Sequence, residues 1–221
     1  RYVAVDISGP MVDEALRSVA ELSIEATGIT GFCEDLPVLL RHARPPCLVA
    51  LLGNNFCNYD PDELLNRMAG ELGPDDLLLF DAHIRPENRA DTQAWQQSVE
   101  TAYRSTANVR FNLGPLITHG MSPDACSFQI DLLPLETPNG PVLRTRKYVD
   151  ILSDAAVQVG GRTVAFAEGE KLAMGFTYKY TAAQIDGYLQ RHGFGTLERF
   201  VSEPGDNLLV LVRPFCPRGD R

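Results

Sequence analysis

Positive charge is scarce in these 221 residues: 20 Lys and Arg stand against 29 Asp and Glu, a formal charge of −9 at pH 7. A chain that grips a phosphate backbone wants a basic face, so nucleic acid is excluded as a partner. No apolar run reaches the roughly 18 residues of a membrane-spanning helix, so no membrane partner is expected. Cysteine is sparse and odd in number: the five are Cys33, Cys47, Cys57, Cys126 and Cys216, with no pair in C-x-x-C spacing. That argues against a disulfide framework and against a zinc site, and it fits free thiols packed as small apolar groups in a reducing cytoplasm. The four histidines, His42, His83, His119 and His192, are scattered without an H-x-x-x-H pair, so no metal is expected.

What is present is an ordinary globular mixture, 44% hydrophobic and 22% charged, long enough for one domain or one with a small addition. There is no internal repeat and no low-complexity tract. Arg1 to Asp6 reads at once as a strand. After Gly9-Pro10, the apolar residues Met11, Ala15, Leu16, Val19, Ala20 and Leu22 recur at helical spacing. Gly28 to Phe32 is a short second strand, and Pro37 to His42 a second amphipathic piece ending before Pro45-Pro46. Cys47 to Gly53 is a continuous apolar run of the kind found in strands covered on both faces. Asp60 or Pro61 starts a helix through Leu72, and Asp76 to Ala82 is another buried strand. Alternation of this kind predicts right-handed crossovers and a mostly parallel sheet. Ligands then sit beyond the carboxyl ends of the strands, where Asp6, Asp35, Asn54 to Asn58, Asp81 and His83 would share one edge.

After residue 86 the pattern changes. Asn88 to Met121 reads as helical, with breaks near Asn108 and at Gly114-Pro115. Antiparallel strands follow at Phe128–Leu132, Leu143–Leu152, Val157–Val159 and Thr163–Phe166, the last two joined by Gly160-Gly161. Thr181 caps a helix through His192. Two final strands, Leu197–Ser202 and Leu208–Arg213, form a terminal hairpin.

Several residues carry chemistry. Asp6 ends a parallel strand, where a carboxylate can accept hydrogen bonds from both ribose hydroxyls of an adenosine cofactor; a helix N-cap would look the same. Asp35 with Leu36 can hold an adenine amino group and stack on the ring. Gly53 allows the backbone close to a ligand. Asn54, Asn55 and Asn58 offer neutral donors and acceptors, as a turn also would. Tyr103 stands on a helix, and Phe176-Thr177-Tyr178-Lys179-Tyr180 alternates so that one face can line a pocket or simply be half-buried.

Taken in order, several stretches resemble the histidine-specific N-alpha-methyltransferases, the enzymes that trimethylate histidine on the way to ergothioneine. They are Tyr2 to Ser8, Glu34-Asp35-Leu36, Leu51 to Asn58, Asp76 to Leu79, Ala102-Tyr103, Gly169-Glu170 and Thr177 to Tyr180. The resemblance implies an α/β class I methyltransferase-like (Rossmann-like) fold, a mostly parallel sheet with a terminal antiparallel hairpin, and S-adenosylmethionine as cofactor. By the same resemblance, Asp6 matches the ribose-binding acid, Asp35 and Leu36 the adenine contacts, and Gly53 with Asn54 the cofactor's methionine end. Asn58, Tyr103 and Thr177 match substrate contacts. No residue is assigned acid, base or nucleophile. Residues 1–86 plus 181–221 would form the cofactor-binding domain, and 87–180 a helical linker and β-rich substrate-recognition region.

Two departures stand out. The family's Glu and Ser that grip an imidazole correspond to Gly175 and Thr177. The family's first strand and glycine-rich loop would precede Arg1, leaving an open sheet edge to be covered by an upstream segment, a second chain or association between copies. The expected activity is methyl transfer to the amine of a small molecule, such as histidine or a relative. The competing readings are a non-catalytic, methyltransferase-like module that binds a ligand or partner, and a nicotinamide-dependent oxidoreductase.

Overall fold

The computed structural model describes residues 1–32, 35–40 and 43–215. Cys33, His42 and Cys216 lie outside the described residues. The chain divides into two compact units, one of Arg1–Ala82, Asp186–Phe200 and Leu209–Arg221, the other of His83–Ile185 and Val201–Leu208.

In the first unit, β1 (Tyr2–Asp6) pairs in parallel with β2 (Ala26–Thr30), Asp6 opposite Thr30. The connection is α1 (Gly9–Ser18), whose Pro10 sits in the first turn, where a missing N–H costs nothing. Val12 of α1 is buried. It packs on β2 at Gly28, where a Cβ would run into Val12 Cγ1 and lie 3.0 Å from Leu16 Cδ1. Glycine is thus what lets helix and strand approach. After β2 comes α2 (Leu36–Leu40).

β3 (Leu48–Leu51) pairs in parallel with β4 (Leu77–His83) through α3 (Pro61–Glu71). Asp60 caps α3, accepting from the amides of Asp62 and Glu63. Leu64, Leu65 and Met68 form its buried stripe, at the i, i+1, i+4 spacing of a core-facing helix. Asp76 ties the turn after α3 to the start of β3, accepting from Gly73 N and Cys47 N at 2.7 Å each. β4 alternates strictly, with Leu78, Phe80 and Ala82 fully buried.

A four-stranded sheet runs in the order β10 (Phe194–Val201), β11 (Asn207–Pro214), β4, β3. The β10–β11 hairpin turns at Ser202, whose hydroxyl accepts from the amides of Asp206 and Asn207. β1 and β2 form a separate two-stranded sheet. Among the described residues, nothing pairs with the second edge of β1 or of β3. The continuous apolar run at 47–53 predicted a strand covered on both faces. As an edge strand it is covered less: Leu48 is 55% exposed and Leu52, just beyond it, 51%.

The second unit holds α4 (Arg89–Tyr103), α5 (Thr106–Thr118) and the antiparallel sheet β5 (Cys126–Leu135), β6 (Val142–Ile151), β9 (Lys171–Lys179). The hairpin of β7 (Ala155–Val159) and β8 (Arg162–Phe166) turns on Gly160-Gly161, both at positive φ, as the Gly-Gly signal requires. Leu113, Leu116, Phe128, Val149 and Ile151 are the centre of the core of α5, β5 and β6. The helix break expected near Asn108 lies at Arg104-Ser105, and there is none at Gly114-Pro115. The Ser105 hydroxyl accepts from Asn108 N and starts α5, and Pro115 is retained inside it. α6 (Ala182–Arg191) opens with a reciprocal capping box: Gln184 N donates to Thr181 Oγ1 and Thr181 N to Gln184 Oε1.

Candidate functional site

In the first unit the predicted residues cluster where parallel strands end. Asp6 is exposed at the last position of β1, and its Oδ1 accepts from Ser8 N at 2.8 Å. Its carbonyl accepts from Gly31 N at 3.1 Å. Asp35 is brought to the same place: its Oδ2 accepts from Phe32 N at 3.4 Å and lies 3.7 Å from where a Cβ on Gly31 would be. Leu36 follows as the first residue of α2. Gly31, beyond β2, thus has the backbone carbonyl of Asp6 on one side and the exposed Asp35 carboxylate on the other.

Beyond β3, Gly53 (φ 81°) and Asn54 (φ 63°) are consecutive left-handed residues. Asparagine is among the few residues besides glycine that adopt this conformation readily. The turn is anchored by Asp81 near the end of β4, which accepts from Asn54 N at 2.9 Å. Among the described residues, nothing lies within 4 Å of where a Gly53 Cβ would be, so the backbone there is open to a ligand. The segment Asn55–Asn58, a polar loop by sequence, is a turn of 3-10 helix. Its Phe56 and Cys57 are buried, and Phe56 stacks on Phe80 at 4.2 Å between ring centroids. This anchors the turn while Asn55 and Asn58 stay exposed.

In the second unit, Tyr103 ends α4 half-buried, and Thr177 is buried on β9. Two residues on, Lys179 is 1% exposed. Its ammonium donates to His83 Nδ1 at 2.9 Å. Burial first, and the Lys179 charge second, push the His83 imidazole below its ordinary value, with the Asp206 carboxylate opposing. Asp206 itself is held below the usual carboxylate range, chiefly by the Ser202 hydroxyl. Sequence spacing could not pair His83 with Lys179, which are 96 positions apart. Asp81, by contrast, was visible as a polar residue at a strand end.

Among the cysteines, the Cys47 thiol is pushed up to about 11 by burial and by its bond to Asp76, so it is unreactive at neutral pH. Among the described residues, no group of three or more His, Cys, Asp and Glu could hold a metal ion, and no helix is long and apolar enough to cross a membrane.

Carboxylate acceptors and a glycine turn at the ends of parallel strands define an α/β domain of the nucleotide-cofactor-binding kind. The comparisons narrow this. The family described as histidine-specific, S-adenosylmethionine-dependent methyltransferase matches residues 1–214, and the chain belongs to it. S-adenosylmethionine is its cofactor. Similar solved structures include the S-adenosylmethionine-dependent methyltransferase from Clostridium acetobutylicum ATCC 824, at 12% identity over 97% of this chain and 75% of that one, TM-score 0.47. The CcbJ methyltransferase from Streptomyces caelestis is 14% identical over 97% and 74%, TM-score 0.46. The glycopeptide N-methyltransferase MtfA in complex with S-adenosylmethionine is 12% identical over 96% and 76%, TM-score 0.39. Among curated proteins, none matches the chain.

The residues present fit this cofactor. Asp6 and Asp35 are exposed acceptors suited to hydroxyl and amino donors, and the Gly53 backbone is unobstructed.

Proposed function

We propose that the protein methylates the amine of a small molecule, an amino acid such as histidine or a relative. The observation that carries this is the joint placement, in one unit, of Asp6 and Asp35 about Gly31 and of the Gly53-Asn54 turn anchored on Asp81. In this reading Asp6 binds the ribose, Asp35 and Leu36 the adenine, and Gly53 with Asn54 borders the methionine end. Asn58, Tyr103 and Thr177 hold the substrate. Residues 1–86 and 181–221 serve the cofactor, and 87–180 serve substrate recognition. The odd number of cysteines supports a cytoplasmic setting.

The cofactor supplies an electrophilic methyl group on a sulfonium. What the chain must do is hold an unprotonated, desolvated amine in line with that methyl carbon, an orientation effect. Asn58 and Tyr103, a neutral amide and a phenol, can orient an amine-bearing molecule without protonating it. Replacing Asn58 by Ala should raise KM and lower kcat/KM by about tenfold to a hundredfold, on the order of one or two lost hydrogen bonds. Unchanged kinetics in that variant would remove Asn58 from the substrate site.

The unpaired edges of β1 and β3 support two further points. One is that another strand, from outside the described residues, pairs with both. The other is a second reading of the protein as a non-catalytic, methyltransferase-like module for a ligand or partner. Calorimetry with S-adenosylhomocysteine, together with a methyl-transfer assay, separates the readings. Binding of S-adenosylhomocysteine together with methyl transfer to an amine supports the enzyme. Binding of S-adenosylhomocysteine without transfer to any amine supports the module.

A further inference from the structure

Within the second unit, one face of the β5–β6–β9 sheet has an unusual lining. The register sets Lys147 opposite Gly175, Thr145 opposite Thr177 and Leu143 opposite Lys179. Directly paired residues share a face, as do alternate residues along a strand. β5 continues this face with Ile130, Leu132 and Pro134. The face therefore carries two ammonium groups and two hydroxyls, and no carboxylate.

Thr145 is 0% exposed, and its hydroxyl has no hydrogen-bond partner among the described residues. An orphaned polar atom in so deep a position is uncommon and costly, and it calls for an explanation. Its neighbour Thr177 is the substrate residue of the reading above, on which this inference rests. At the outer end of the same face, Gly175 is exposed, with φ 132° and, among the described residues, nothing within 4 Å of where a Cβ would be. The row thus runs from an open position at Gly175, past the two threonines, to buried Lys179. A further buried and unpartnered donor, Trp95 Nε1, belongs to a ring lying 6.0 Å from that of His83, the partner of Lys179.

We infer that Thr145 is a specificity-determining residue, and that with Thr177 and Lys179 it recognises a hydrogen-bond acceptor on the substrate's side chain, a carboxylate or an amide carbonyl. An ammonium and an indole N–H can only donate. With no carboxylate on the face, the two threonine hydroxyls are its only side-chain acceptors and they can donate equally well, so the ammonium groups tip the face toward a ligand that accepts.

The test uses the protein with S-adenosylhomocysteine, and calorimetric titration with glutamate, glutamine, histidine and leucine. Glutamate or glutamine should bind at least tenfold tighter than histidine and leucine. Thr145→Val, which keeps shape and deletes the hydroxyl, should reduce that preference about tenfold, the scale of one buried hydrogen bond. Thr145→Ser should restore it. Because the ligand-free protein buries this hydroxyl unpaired, Thr145→Val should also leave the melting temperature unchanged or raised, which a structural role for Thr145 would not do. The inference is overturned if histidine or leucine binds tightest, or if Thr145→Val leaves the preference intact. If S-adenosylhomocysteine binds and none of the amino acids does, the amino-acid reading itself falls, and this inference with it.

Discussion

His83 has two strong neighbours of opposite sign, the ammonium of Lys179 and the carboxylate of Asp206. An ammonium can only donate, so Nδ1 accepts, and the imidazole that fits here is the neutral one. Its proton affinity is lowered in the folded chain, by burial before charge. In the unfolded chain it returns to about 6.5. Below that value the unfolded chain binds a proton on His83 that the folded chain does not, so stability falls with falling pH. The contribution is complete above the ordinary value and disappears as pH drops toward the lowered one. Urea unfolding at pH 7.5 and pH 5 should therefore show a smaller loss for His83→Asn, which keeps an acceptor for Lys179 and cannot take up the proton. Equal losses in the two proteins would mean that His83 titrates normally. At this scale the sequence was legible where a residue acts on near neighbours. Asp60 capping Asp62 and Glu63, and Thr181 paired with Gln184, follow from local rules. It was illegible where partners are distant. A threonine flanked by arginines in a strand, as at 145, looks like any β-former. Only the fold shows that its hydroxyl is buried and unmatched.

Elements formed where hydrophobic period and punctuation agreed. β4 is a short continuous apolar run in sequence, Leu77 to Phe80, bounded by the Gly73-Pro74 stop, and alternates in burial, and the Gly-Gly hairpin turns where glycine pairs do. The helices of 89–118 show the limit. Asn108 reads as a breaker but is the third residue of a capped helix, because Ser105 takes over its amide. Pro115 reads as a stop, yet α5 runs on to Thr118, its buried Leu113 and Leu116 packed in the core with β5 and β6. Tertiary burial outweighs the one backbone bond a proline forfeits. Gly28 offers a test of packing at this scale. It is not needed for its φ but for the closeness of α1, since a Cβ there would collide with Val12 and crowd Leu16. Gly28→Ala should cost about 1–3 kcal/mol, the range for overpacking. The midpoint of urea unfolding measures it. A neutral or stabilising result, the usual effect of removing backbone freedom from the unfolded chain, would show that α1 can step away from β2.

At the scale of the whole molecule, two strand edges stay open among the described residues. Among those residues, β1 pairs with β2 alone, and β3 is the end strand of its sheet. Parallel strands are ordinarily covered on both edges and both faces, yet Leu48 and Leu52 are more than half exposed, as is Ile7 just beyond β1. Edges and apolar surface of this kind attract pairing partners. The proposal that one further strand pairs with both β1 and β3 makes a joint prediction. In the 221-residue chain, at a concentration where light scattering reports a monomer, the outward amides of β1 and β3 should exchange with deuterium much faster than those of β4, which is paired on both sides. When a candidate further strand is supplied, as an attached segment or an added peptide, the two sets should slow together and by similar factors, because one strand covers both edges. Protection of one edge alone would require two different partners. Amides of β1 and β3 already as slow as those of β4 in the monomer would mean that the edges are closed by other means.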